Sequence, residues 1–231
     1  MVLRRLAALL DALPDRSAVA IDGPDAAGKT TMADALARIV DRPVVRASVD
    51  GFHRPRATRH RQGRASPVGY YRDSFDLAAF TDRLVQPFVD GADAVDTAVF
   101  DHRLDRPDVV HVDGISPSAV LICDGVFLLR PEVRDLWTLR VYLAVSAETT
   151  LRRAVVRDGE QLGSDVAVRE LYTARYLPAH VLYRSEADPV AAAHVVIDND
   201  DVEAPRVLRW TPPAARSAGV NSRERGHGRH G

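Results

Sequence analysis

Short apolar runs alternate with stretches of helical periodicity along most of the chain. Five runs are apolar enough to predict strands, at residues 17–21, 43–49, 119–123, 139–145 and 194–197. The run at 119–123 is apolar throughout, as expected of a central strand buried on both faces. Strands that alternate with helices are typical of a parallel sheet with helices on both faces. The pattern therefore predicts an α/β fold with five parallel strands.

The segments between these runs have the periodicity of amphipathic helices. One predicted helix begins at residue 30, and others cover residues 76–90, 147–158 and 165–184. Proline inside a helix removes a hydrogen bond, so Pro178 should kink or divide the last of them. A further predicted helix, over residues 2–13, has one face made of Leu3, Leu6, Leu10 and Leu13. Its apolar stretch is too short for a signal peptide.

Composition limits the classes of protein that fit. With 231 residues, 46% of them apolar, the chain is long enough for one domain, which we place at residues 1–210. A net charge of −1 gives no general attraction to nucleic acid or acidic membranes. No run approaches the ~20 apolar residues of a membrane span. Cys123 is the only cysteine, which fits a reducing cytoplasm. Residues 211–231 lack periodicity and predict a disordered tail.

The chain has thirty arginines and a single lysine, Lys29. Lys29 lies in Gly-Pro-Asp-Ala-Ala-Gly-Lys-Thr, residues 23–30, between a predicted strand and a predicted helix. This is the spacing and context of a P-loop, whose glycines let backbone N–H groups turn toward phosphate oxygens. The lysine reaches the β- and γ-phosphates, and the following hydroxyl, here that of Thr30, binds Mg²⁺. The sequence thus predicts ATP and Mg²⁺ binding by Gly23, Asp25, Ala26, Ala27, Gly28, Lys29, Thr30 and Thr31.

Two carboxylates follow predicted strands. Asp50 comes after the second strand and Asp124 after the third. In an open α/β sheet, ligands gather at the carboxyl ends of the strands. Phosphoryl transfer to a hydroxyl needs Mg²⁺ on the phosphate oxygens and a carboxylate that receives the hydroxyl proton. Asp50 and Asp124 are candidates for the base and the metal-side acid, although Asp before Gly is also common in turns.

Together these segments resemble the uridine kinase-like branch of P-loop kinases, which also includes phosphoribulokinase and bacterial pantothenate kinase. The resemblance covers residues 17–200 and is carried by the P-loop, by Val-Asp-Gly-Phe-His at 49–53 and by Leu-Ile-Cys-Asp-Gly-Val-Phe-Leu-Leu at 121–129. It continues through the arginine-bearing segment 151–158 and the segment 193–199. The resemblance implies a P-loop NTPase fold with a short helical lid, at about residues 152–165.

The resemblance also implies roles for individual residues. Asp50 would take the proton from the acceptor hydroxyl, and Asp124 stands where the family usually has a glutamate near Mg²⁺. Arg153 and Arg157 would close over the phosphates and stabilise the transferring charge. The acceptor is expected to contact Phe52, His53, Arg56, Phe100 and His102, although a purely structural hydrogen bond is an equally good interpretation of His53.

The acceptor side departs from the family pattern. Pyrimidine nucleoside kinases have an aromatic pair followed by a histidine that contacts the base. Here Phe100 is kept, His102 takes the second aromatic place, and Asp105 stands where the histidine would fall. The family's Tyr-Asp-His-Pro segment corresponds roughly to residues 69–72, without a clear counterpart of its ribose-binding aspartate.

One charged segment suggests a different acceptor. Between Asp50 and Asp73 there is no acidic residue, whereas Arg54, Arg56, Arg59, His60, Arg61 and Arg64 follow one another closely. Such a cluster is able to hold an anionic acceptor such as a sugar phosphate, but a solvated loop gives the same pattern.

These observations favour an ATP-dependent kinase that acts on a small-molecule hydroxyl, with a nucleoside as first choice of acceptor. A sugar phosphate, pantothenate or a nucleoside monophosphate remains an alternative, as does a nucleotide-binding regulatory module without turnover. A GTPase is disfavoured because its guanine-binding Asn-Lys-x-Asp motif needs a second lysine. The partner is expected to be the small-molecule acceptor rather than nucleic acid or a membrane, and a homo-oligomer stays open.

Overall fold

The computed structural model describes residues 1–213, without the side chain of Gln161. The strands of this part are β1 (Ala18–Asp22), β2 (Val44–Ser48), β3 (Val95–Asp101), β4 (Arg106–Val112), β5 (Val120–Gly125), β6 (Leu139–Ala144), β7 (Val195–Asp198) and β8 (Arg206–Trp210). The helices are α1 (Val2–Asp11), α2 (Lys29–Ile39), α3 (Arg56–Arg59), α4 (Pro67–Asp73), α5 (Leu77–Phe80), α6 (Gln86–Val89), α7 (Ala147–Leu162), α8 (Asp165–Leu171), α9 (Leu177–Ala187) and α10 (Pro189–Ala192).

The main sheet has the strand order β2-β5-β1-β6-β7-β8. Its first five strands are mutually parallel, which confirms the predicted α/β fold, and each lies within two residues of its predicted position. The buried apolar runs made these strands predictable because a parallel strand covered on both faces needs apolar side chains on both.

Two other features of the sheet structure were absent from the prediction. β8 adds a sixth strand, antiparallel to β7, at the edge of the main sheet. β3 and β4 form a separate antiparallel hairpin, and nearly all of β4 is exposed. Neither β4 nor β8 has a buried apolar run, so pairing with a neighbouring strand, rather than local hydrophobicity, stabilises them.

Helices cover both faces of the sheet. Val19 and Ile21 of β1 pack with Leu6, Leu10 and Leu36 of α1 and α2. The alternate residues of the same strand, Ala18 and Ala20, belong to the core on the opposite face. That core includes the aromatic residues Phe52, Tyr71, Phe80, Phe127 and Tyr183. The period of two along β1 thus divides its side chains between two helical layers.

Two helices accommodate an internal proline through a π turn. The turn Thr81–Val85 joins α5 to α6, and the turn Tyr172–Tyr176 joins α8 to α9. Pro87 and Pro178 each occupy the second position after such a turn. Proline has no N–H for the usual helical bond, and the wider turn shifts the bonding pattern just before it. The helix over residues 165–187 therefore continues through Pro178, where the sequence predicts a kink or a division.

The N-terminal helix, the predicted lid and the predicted tail are compared with the structure in turn by their residue bounds. The N-terminal helix ends at Asp11, two residues before its predicted end. Residues 152–165 form the C-terminal part of α7, a turn at Gly163 and the start of α8. Of the predicted tail, residues 214–231 lie outside the described residues. No helix in residues 1–213 has the length and apolar character to cross a membrane.

Candidate active site

The carboxyl ends of β1, β2 and β5 lie side by side. Asp124 of β5 is in register with Ile21 of β1 and with Ser48 of β2. The segments that leave these strands are the P-loop, the turn with Asp50 and the loop after Asp124, so they meet at one edge of the sheet. This is the edge where α/β proteins bind their ligands.

The P-loop wraps around its lysine. The Lys29 side chain is buried, and its Nζ donates to the carbonyl oxygen of Pro24 at 2.6 Å. Gly23 passes so close to β6 that a Cβ there would lie 2.6 Å from the Leu143 carbonyl oxygen, which explains the glycine. Gly28, with φ +88°, is the N-cap of α2, and no side chain caps that end of the helix. The first N–H groups of α2 and its positive dipole end are thus free to bind an anion.

A cavity of about 310 Å³ opens over this turn. It is lined by Ala26, Ala27, Gly28, Lys29, Thr30, Thr31, Arg153 and Arg157. The structure therefore brings six of the eight predicted ATP-binding residues together with both predicted lid arginines. Of the other two, Gly23 lies against β6, and Asp25 lines the adjoining cleft.

Asp124 and Thr30 lie in direct contact. The Thr30 hydroxyl donates to Asp124 Oδ2 at 2.6 Å, and Arg46 donates to Asp124 Oδ1 at 2.9 Å. Within residues 1–213, no three His, Cys, Asp or Glu side chains converge as a metal site. A hydroxyl beside one carboxylate, next to a phosphate-binding turn, suits Mg²⁺, which takes one or two protein ligands and completes its shell with phosphate oxygens and water.

A larger cleft of about 520 Å³ adjoins the P-loop. Asp50 opens onto this cleft from the 3-10 turn Val49–Phe52 that follows β2. The surrounding protein atoms raise the pKa of Asp50, and nearby His102 and Lys29 lower it, with a net upward shift. The side chain is still solvent-accessible within the cleft. Asp50 thus has the access and the raised basicity that a proton acceptor needs.

The β3–β4 hairpin packs against the turn that carries Asp50. Gly51 makes this possible, since a Cβ there would lie 2.7 Å from the Ala98 Cβ of β3. The close approach stacks His53 on His102, with ring centroids 4.5 Å apart. Burial, with His102 and Arg59 nearby, lowers the pKa of His53 to about 3. His53 is therefore neutral near pH 7, and its Nδ1 lies 2.9 Å from the Asp50 carbonyl oxygen.

Of the five predicted acceptor contacts, His102 lines the cleft, whereas His53, which stacks on it, and three others do not. Phe52 has no exposed surface and packs edge-on against Phe80 in the core. Phe100 is buried in β3 and does not line the cleft. Arg56 is exposed outside the cleft lining, and its backbone N–H donates to Asp105. An aromatic residue beside the Asp50 turn is able to pack either against a ligand or in the core, and only the tertiary structure distinguishes the two.

The two lid arginines are held by different partners. Arg153 donates to the carbonyl oxygens of Asn199 and Asp200, at 2.8 and 3.0 Å. Asn199 in turn donates to the Ala27 carbonyl oxygen, so the end of β7 links α7 to the P-loop. Arg157 binds Asp158 and the Tyr172 hydroxyl, and it lines both cavities. Arg157 is thus placed between the phosphate-binding turn and the larger cleft.

Two arginines of the arginine-rich segment pair with acidic residues of the protein. Arg59 pairs with Asp105, and Arg61 with Asp73, although both acids lie outside the segment. Arg64 lies away from the larger cleft, near Leu162 and Leu171. Besides Arg157, one further arginine lines the cleft: Arg103, from the hairpin, which sequence reasoning missed.

Asp22 is a second missed residue. It is fully buried at the end of β1 and receives hydrogen bonds from the backbone N–H groups of Gly23 and Leu129 and from the Tyr183 hydroxyl. Burial raises the pKa of Asp22, while these hydrogen bonds oppose the rise. Asp22 ties the start of the P-loop to the loop after β5 and to α9. Its one sequence signal is an acidic residue that ends an apolar strand.

Comparison with known proteins places this site in a family context. The model of the Phosphoribulokinase / Uridine kinase family matches residues 18–199, which include every residue of both cavities. A uridine kinase of Chlamydia pneumoniae is 26% identical over 166 residues, covering 70% of this chain and 73% of the relative. Uridine kinase-like protein 3 of Arabidopsis thaliana is 27% identical over 168 residues, but the match spans only 35% of its length.

Solved structures share the fold. One described as "a Possible Uridine Kinase" from Bacillus stearothermophilus has a TM-score of 0.66 at 24% identity, covering 85% of this chain and 99% of the other. A D-glycerate 3-kinase of Cryptococcus neoformans has a TM-score of 0.61 at 12% identity, covering 90% and 99%. At these identities the structural likeness establishes the fold alone.

Proposed function

The chain belongs to the Phosphoribulokinase / Uridine kinase family, and on that basis we propose that it transfers the γ-phosphate of ATP to a hydroxyl of a small molecule, with a nucleoside as the first candidate. The observation that carries the proposal is the position of Asp50. Its carboxylate opens onto the same cleft as Lys29 and Thr30, so a hydroxyl held there meets a base and the phosphate-binding turn together.

The P-loop side of the site is suited to the triphosphate. The open N-terminus of α2 binds phosphate oxygens through backbone N–H groups, and Lys29 exchanges its bond to Pro24 for one to a phosphate oxygen. Arg157, placed between the two cavities, stabilises negative charge on the phosphoryl group during transfer. Thr30 and Asp124 would hold Mg²⁺, which when bound neutralises charge on the phosphate oxygens.

The acceptor side receives the hydroxyl and its proton. Asp50 accepts the proton as the hydroxyl oxygen attacks phosphorus, and the raised pKa of Asp50 favours that step. His102 and Arg103 of the hairpin line the same cleft and contact the acceptor. A nucleotide-binding module without turnover would have no use for a carboxylate of raised basicity at this position. The curated uridine kinase relatives favour a nucleoside as the acceptor.

The test is ADP formation with a panel of acceptors: nucleosides, nucleoside monophosphates, pantothenate and sugar phosphates. We expect a nucleoside to support turnover. Asp50→Asn should lower kcat about 10²- to 10⁴-fold, the usual contribution of a general base, with ATP affinity nearly unchanged. Asp135→Asn is the matched control, because this carboxylate is 88% exposed and outside both cavities. Full activity in Asp50→Asn, or turnover with none of the panel, would contradict the proposal.

A further inference from the structure

Asp25 is placed differently from the other P-loop side chains. It follows Gly23 and Pro24 in the loop, yet its carboxylate lines the larger cleft together with Asp50, Tyr70 and His102. The side chain is 15% exposed. A carboxylate repels phosphate, so its presence in a phosphate-binding loop calls for a different ligand. The cleft that it lines is the one where the proposed function places the acceptor.

Two side chains hold the Asp25 carboxylate. The Tyr70 hydroxyl donates to Oδ1 at 3.0 Å, and His180 Nε2 lies 3.0 Å from Oδ2. Both side chains are buried and packed against Phe127, and Tyr70 also packs against Tyr176. Each oxygen therefore has one protein partner. An ionised carboxylate accepts about four hydrogen bonds, so one acceptor position on each oxygen remains for a ligand.

Asp25 is ionised, so its carboxylate accepts hydrogen bonds from a ligand and donates none. Burial raises the pKa of Asp25, but the hydrogen bonds and charge of His180, with Lys29 and Tyr70, bring it down to about 2. The carboxylate is therefore ionised throughout the physiological range. Its charge also acts on Asp50, whose pKa it raises. Asp25 and Asp50 also line the same cleft, so one acceptor molecule there is able to contact both.

We infer that Asp25 is the residue that selects the acceptor, by binding two neighbouring hydroxyls of a polyol, such as the ribose diol of a nucleoside, while a further hydroxyl lies at Asp50. The two oxygens match two adjacent hydroxyl donors, one on each. This inference rests on the proposed function for the location of the acceptor. It assigns recognition of hydroxyl groups to the phosphate-binding loop itself.

Calorimetric binding without turnover tests this inference. The probes are uridine, 2′-deoxyuridine and 3′-deoxyuridine, titrated into the protein with a non-hydrolysable ATP analogue. The wild type should bind uridine about 10- to 100-fold more tightly than either deoxynucleoside, as expected for hydrogen bonds to a charged group. Asp25→Asn should lose affinity for uridine by a similar factor and lose the preference for uridine. Affinity for the analogue should stay nearly unchanged, because backbone groups and Lys29 hold the phosphates.

A second variant separates binding from folding. Tyr70→Phe removes a donor to Asp25 but keeps the carboxylate, so it should retain a clear preference for uridine. A purely structural role for Asp25 would lower the melting temperature and the analogue affinity and leave the preference intact, which would overturn the inference. Absence of uridine binding to the wild type would overturn it too. Because no turnover is needed, a failed kinase assay leaves this result interpretable.

Discussion

The two cavities of the site are built in different ways. The phosphate-binding cavity uses one continuous stretch, residues 26–31, together with Arg153 and Arg157 from α7. The larger cleft collects Asp50, Tyr70, His102, Asp124 and Tyr176 from widely separated segments. Backbone N–H groups and one lysine dominate the first, whereas individually placed side chains dominate the second. Under the proposed function, the first cavity binds the phosphates, as in many kinases, and the second selects the acceptor.

This difference predicts which kinetic constants each side controls. Phosphate binding through backbone geometry and one charge is independent of what the acceptor is. The cleft, in contrast, has its chemistry set by the side chains of Asp25, Asp50 and the hairpin. Variants of the phosphate-binding cavity should therefore change kcat/KM for ATP, and by the same factor with every acceptor. Variants of the larger cleft should instead change kcat/KM for the acceptor.

The largest effect is expected from Lys29→Ala. Removing the single ammonium of the P-loop should lower kcat/KM for ATP about 10²- to 10³-fold, similar to the loss of one donor that stabilises the transition state. The fall should be equal for any two acceptors in steady-state assays of ADP formation. Arg38→Ala removes an exposed cation from the same helix and should retain activity. A fall in kcat/KM for ATP that differed between acceptors would contradict the proposed division between the phosphate-binding cavity and the larger cleft.

The next effect concerns the metal. Asp124→Asn should raise the Mg²⁺ concentration for half-maximal activity by at least about 10-fold, because an amide binds Mg²⁺ less well than a carboxylate. Asp34→Asn is a matched control, since Asp34 pairs with the same Arg46, at 2.8 Å, but lies outside both cavities. Mg²⁺ titrations that gave the same curve for both variants would contradict a metal role for Asp124.

The third effect is a pH dependence of kcat/KM for the acceptor. Asp50 must be ionised to accept a proton, so kcat/KM for the acceptor should fall about tenfold per pH unit below its pKa. Because the surrounding cleft raises that pKa, the fall should begin at a higher pH than for an ordinary aspartate. Asp25→Asn removes a negative charge near Asp50, which should lower the Asp50 pKa and move the acid limb of the pH–rate profile to lower pH. If the acid limb of Asp25→Asn stayed at the wild-type pH, this would contradict an electrostatic interaction between Asp25 and Asp50.

Local sequence predicted the parts of the site that are contiguous. The P-loop and the five buried strands were predictable because each depends on residues next to one another in the chain, and the register of β1, β2 and β5 then brought Asp50 and Asp124 to one edge. Phe52 and Phe100 were predicted as acceptor contacts, and the structure buries both. An aromatic residue near a site has the same sequence signal whether it packs inward or faces a ligand.

The sequence by itself determined that the chain forms a parallel α/β sheet with a phosphate-binding turn, because apolar periodicity and glycine spacing act over a few residues. The tertiary structure decided which side chains form the larger cleft. The contact of Asp25 with Tyr70 spans 45 residues and its contact with His180 spans 155, and the hairpin reaches Asp50 by packing on Gly51. Such contacts depend on how distant segments fold together, and no local pattern in the chain specifies them.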